Sequence, residues 1–162
     1  MENAKDTFYV ALRNRLAAVN PARTMLLRSV ERPGILVEEA EAVAAEIPED
    51  VFVLRWTGMK ADAELPAILA ELTCEVEYTT GGTQEAVGLD RGRVLAEMDA
   101  ELLAMAAPCS AQKTDYSKAP PLQMQTMVFW TMPEFADAKS ARDRMTRTAG
   151  MKVFTFQEQG ER

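Results

Sequence analysis

Residues 70–78 read Ala70-Glu71-Leu72-Thr73-Cys74-Glu75-Val76-Glu77-Tyr78. Successive side chains of a strand point to opposite faces. Ala70, Leu72, Cys74, Val76 and Tyr78 therefore share one face, and Glu71, Thr73, Glu75 and Glu77 share the other. That alternation predicts a strand buried on one side and wet on the other, as in an antiparallel sheet covered on a single face. The cover must come from helices elsewhere in the chain.

Two segments have the spacing for it. Phe8, Ala11, Leu12, Leu16 and Val19 recur at steps of three and four, which predicts a helix over 5–19 with Asp6 or Thr7 as cap and Asn20-Pro21 as stop. Val94, Leu95, Met98, Leu102, Leu103, Met105 and Ala106 form a second stripe, which predicts a helix over 90–107. Asp90 is its N-cap, Glu97 and Glu101 face outward, and Pro108 ends it. Further strands are expected at 35–39, 51–57, 122–132 and 152–158. Arg32-Pro33-Gly34 reads as a turn, and 58–64, 109–121 and 133–150 read as loops or partial helix. The order predicts a single α+β domain over 1–162, a mainly antiparallel sheet with helices on one face. Residues 133–162 form a possible C-terminal extension.

Charge is laid out in blocks. Residues 1–35 carry a net +3, residues 36–107 a net −12, and residues 108–162 a net +2. An acidic middle between basic ends predicts one acidic and one basic surface, and so a chain that binds copies of itself. Arg13, Arg15, Arg23, Arg28 and Arg32 on one side, and Glu38, Glu39 and Glu41 on the other, are the candidate interface residues. Few aromatics interleave with the arginines and no groove-binding motif is present, so no sequence-specific nucleic-acid binding is expected. Apolar runs are too short for a membrane helix, and no secretory h-region opens the chain. A cytoplasmic protein is expected.

The chain has no histidine. That excludes Ser-His-Asp and Cys-His sites within it and removes the commonest metal ligand. Two cysteines, Cys74 and Cys109, do not make a disulfide framework and are expected as reduced thiols. Thr80-Gly81-Gly82-Thr83 and Gly88-Leu89-Asp90-Arg91-Gly92 are turns, lacking the lysine and the glycine spacing of phosphate loops. Glu71, Glu75 and Glu77 invite three readings: a solvated strand face, a wall toward a channel or partner, or ligands for Mg²⁺ or Mn²⁺ with Asp90 or Asp115. An apolar pocket near Trp56, Tyr78 and Trp130 would make the chain a small-ligand-binding domain. No catalysis and no cofactor are expected.

In Phe8–Val19, Pro66–Tyr78, Asp90–Ala107 and Leu122–Met132, the chain resembles the tail terminator proteins of long-tailed phages. The resemblance is one of element order over about two thirds of the chain and carries no diagnostic motif. It implies a ring of identical subunits, commonly six, that caps a tail tube, meets other tail or head-completion proteins, and has no chemistry of its own. The protein would then belong to a virion or prophage. Neighbours in such a ring meet head to tail, which needs two different complementary patches. Glu71, Glu75 and Glu77 would line the hole, a negative wall past which DNA slides without sticking.

Overall fold

Leu69–Thr80 is a strand, and its side chains alternate between buried and half-buried along its whole length. In the computed structural model, which describes residues 1–38, 48–62, 64, 67–158 and 161, this strand is fifth in chain order. The elements run α1 (Glu2–Val19), β1 (Thr24–Leu27), β2 (Val30–Pro33), β3 (Ile35–Val37), β4 (Phe52–Asp62), β5 (Leu69–Thr80), α2 (Arg91–Ala106), β6 (Ser110–Asp115), β7 (Leu122–Trp130), β8 (Glu134–Phe135), β9 (Lys139–Ala141) and β10 (Arg144–Phe156). The main sheet has the order β3-β4-β5-β10-β7-β6, with β8 and β9 also paired to β10. β3 and β4 run parallel; the other pairings are antiparallel. The fold is α+β.

Both helices pack on the face that carries Ala70, Leu72, Cys74, Val76 and Tyr78, and the last four join Phe8, Leu12, Leu16, Leu95, Met98 and Leu102 in one core. Phe8 of α1 sits edge-on between Trp56, at 5.8 Å, and Trp130, at 5.2 Å. Tyr78 packs on Phe52 at 5.1 Å. The aromatic space that suggested a ligand pocket is thus filled by side chains. The opposite face is not left bare. The β1–β2 hairpin covers part of it through a small second core of Met25, Leu36, Val51 and Val53, with Leu27 against it.

Several expectations need correction. Residues 133–162 are no appendage, because β10 is an interior strand between β5 and β7. β10 begins at Arg144, inside the stretch read as loop. β4 runs on past Gly58 to Asp62 through a bulge at Trp56–Gly58 that absorbs one extra residue. Ser110–Asp115, read as polar loop, pairs with β7. The turn expected at Arg32–Gly34 lies instead at Arg28–Ser29, and Arg32 and Pro33 belong to β2. Helix α1 starts at Glu2, so Thr7 is inside it, its hydroxyl bonded back to the Asn3 carbonyl at 2.7 Å.

Lys113 of β6 is fully buried. Its ammonium donates to the Phe156 carbonyl at 2.8 Å and to the carboxylate of Glu161, itself almost fully buried. The N-terminal ammonium of Met1 lies 3.5 Å from that carboxylate. Removing one member of a buried pair strands the other's charge. Lys113→Met is expected to cost about 3–5 kcal/mol in urea unfolding, and Lys113→Met with Glu161→Leu to recover most of it. Equal losses in the two variants would show that the pair has no such coupling.

Candidate functional site

The block-wise charge of the sequence does not survive as segregated surfaces, because the fold brings unlike blocks together. Arg23 bonds Glu101 through both Nε and Nη2, the latter at 3.0 Å, and Asn20 Nδ2 donates to the same carboxylate at 2.7 Å. Glu101, expected to face solvent, is instead the tie between the end of α1 and α2. Arg15 donates to the carbonyls of Met105, Pro108 and Ser110 at 3.2, 2.6 and 3.1 Å, so it caps the C-terminus of α2. It also lies over the Trp130 ring. Arg32 donates to the Tyr9 hydroxyl at 3.0 Å, and Arg13 lies over the Tyr9 ring at 5.7 Å. Of the five candidate arginines, Arg28 alone stands fully exposed.

The acids divide likewise. Glu38 holds Arg55 in a two-point pair, one contact at 2.9 Å, and the hydrogen bonds from Arg55 pull the Glu38 carboxyl below its ordinary pKa. Glu49 pairs with Arg144 at 2.7 Å. Glu39 and Glu41 lie outside the described residues.

Glu71, Glu75 and Glu77 do share one face, half-buried, as the alternation requires. Register places Lys60 and Phe154 beside Glu71, Arg55 and Gly150 beside Glu75, and Val53 and Thr148 beside Glu77. Lys152 reaches Glu71 at 3.0 Å. Bases therefore thread the glutamate stripe, and its negative excess sits at Glu75 and Glu77. Among the described residues no three His, Cys, Asp or Glu side chains converge as metal ligands do. Neither Cys74 nor Cys109 is in a disulfide; Cys74 is buried and Cys109 partly so.

On the helix side, Tyr78 donates to Asp99 of α2, and Arg147 of β10 lies 3.2 Å from the same carboxylate. Burial, then the Asp99 carboxylate, raises the Tyr78 pKa well above the phenol range. The phenol stays neutral and its proton stays on the hydrogen bond, so the group pins α2 to the sheet.

The sequence reading gave no sign of the exposed apolar residues on two tips. The β1–β2 turn is Arg28-Ser29, both at positive φ (50° and 66°), between Leu26 and Val30, which are 74% and 62% exposed. The second tip is the loop 81–90, where Val87 and Leu89 are 86% and 92% exposed and Val87 holds φ 52°. A β-branched residue is rare in that region. Gly82 and Gly88 also have positive φ, and a Cβ on Gly82 would meet Asp90 Oδ1 at 2.7 Å. Glycine spacing located this loop; no periodicity marked its exposed apolar residues.

Asp90 sits at the start of α2, but its carboxylate makes no capping bond. It reaches back to the Thr83 amide at 2.9 Å and hydroxyl at 2.8 Å, and Arg93 donates to it at 2.8 Å. The Thr83 amide first, then the hydroxyl, hold its carboxyl below the ordinary 3.8. A depressed folded pKa stabilises the loop fully above the unfolded value and loses that contribution as pH falls through the folded one. The protection of the Thr83 amide against hydrogen exchange is therefore expected to persist at pH 3.8 and to be lost only as pH falls further, through the depressed folded pKa, and to be lost at every pH in Asp90→Ala. Protection that survives protonation would place the loop's order elsewhere.

No helix among the described residues is long and apolar enough to cross a membrane. No protein-family description matches this chain, and no curated protein matches it in sequence. One solved structure superposes on 99% of this chain and 97% of its own, at a TM-score of 0.46 and 12% identity.

Proposed function

We propose that the chain is a structural assembly component, a ring-forming tail terminator or head–tail joining protein of a phage or prophage, without catalysis. The observation that carries the assembly part is the pair of apolar tips. Leu26 and Val30 flank the positive-φ pair Arg28-Ser29, and Leu89 follows Val87, itself at positive φ; all four are exposed. Single exposed apolar residues are ordinary; we take these four together, two on each tip, as the contact points of a second molecule. Strain persists where function requires it. The tail reading rests on the resemblance in element order.

Within such a ring, Glu75 and Glu77 are the carboxylates left to face a channel, since Lys152 holds Glu71. Contacts to other tail or head-completion proteins fall to the faces the ring leaves open. The small-ligand alternative loses its site to Phe8. The metal alternative needs Glu71 freed from a lysine.

Light scattering coupled to size-exclusion chromatography tests the proposal. The expected mass climbs with protein concentration to a fixed multiple of the chain, six under the ring reading, and incubation with purified tail tubes leaves the protein at tube ends. A strict monomer at high protein concentration and low salt overturns it.

A further inference from the structure

We propose that the β1–β2 turn of one copy inserts, as a finger, into a cleft beside the loop 81–90 of a second copy. The contact deepens the ring reading above and rests on it. β1 and β2 pair with each other and stand outside the main sheet's strand order. Register puts Leu27 opposite Val30 and Leu26 opposite Glu31, so Leu26 and Val30 lie on different faces of the ribbon. Apolar side chains on both faces suit a slot better than a flat surface. Two-residue turns with both residues at positive φ favour Asn-Gly; here Arg28 and Ser29 occupy them. Arg28 has no ion-pair or hydrogen-bond partner among the described residues.

The cleft has a volume of about 470 Å³ and is lined by Glu49, Gly82, Val87, Gly88, Arg91 and Asp143. That volume is in the range of small-ligand clefts, about 300–1,000 Å³. Two of the charges are committed within the chain. Glu49 pairs with Arg144, and Arg91 Nη1 donates to the Arg142 carbonyl at 3.2 Å. Asp143, exposed on the β9–β10 turn, has no partner among the described residues. The finger thus offers an unpaired guanidinium between two apolar residues. The cleft offers an unpaired carboxylate and, in its lining, the apolar Val87. Finger and cleft are different surfaces, so the contact is head to tail and propagates or closes.

The test uses charge reversal on the full chain, followed by sedimentation velocity. Arg28→Glu and Asp143→Arg are each expected to weaken association about tenfold or more. The chain carrying both changes, and an equal mixture of the two single variants, are expected to regain it, which a general loss of fold would not produce. A second measurement uses Ser29→Cys and Asp143→Cys in a Cys109→Ser background. Oxidation of the mixed chains is expected to give the mixed disulfide dimer in excess over either like pair. A Ser29→Cys chain that cross-links chiefly to itself, or association indifferent to both reversals, overturns the proposal. A ring that forms regardless of Arg28 and Asp143 leaves the assembly reading standing without this contact. A finger-and-cleft contact in a protein that never localises to tail tubes removes the tail reading alone.

Discussion

The pairing of β5 with β10 governs this molecule. Twelve consecutive residues face each other, from Met145 opposite Thr80 to Phe156 opposite Leu69. Because side chains alternate, that one register decides which residues go in and which go out on two strands at once. It sends Val76, Tyr78, Ala149 and Met151 under the helices and leaves Glu75, Glu77, Thr148 and Lys152 on the other face. A slip of one residue on β5 would turn Glu71, Glu75 and Glu77 inward and Leu72, Cys74, Val76 and Tyr78 outward. The remaining strands extend a two-faced platform already defined by this pair.

The consumption of charge follows from the same platform. Strands distant in sequence become neighbours, so acids of the middle block meet bases of the last block: Glu49 with Arg144, Glu71 with Lys152, Asp99 with Arg147. Arg23 and Arg15, from the first block, are drawn to Glu101 and to the open carbonyls at the end of α2. A linear tally of charge therefore overstates the polarity of the surface. Half-exposed pairs contribute little to stability, but they decide which charges remain for a partner.

The parts legible in the sequence were those with an uninterrupted period. The alternation of 70–78 holds without exception, and of the stripe of 94–106 Leu95, Met98, Leu102, Met105 and Ala106 are buried as expected, while Leu103 is exposed. What was missed carries polar residues on its inner side. Arg147 points toward Asp99 and so breaks the apolar phase of β10. Lys113 sits inside β6 because Glu161, distant in sequence, neutralises it. In β4 the extra residue at the bulge shifts the phase after Trp56. The candidate surfaces were less legible still. An exposed Leu26 or Val87 is defined by what does not cover it, and no local pattern encodes that.

The last long strand to be made is an interior one. While the chain leaves the ribosome, β5 and β7 must each wait with an open hydrogen-bonding edge until residues 144–156 emerge. Helices α1 and α2 are both synthesised before it, and the apolar surface they cover is not yet complete. A nonsense mutation ahead of Arg144 would therefore release two sticky half-sheets prone to pair with other chains.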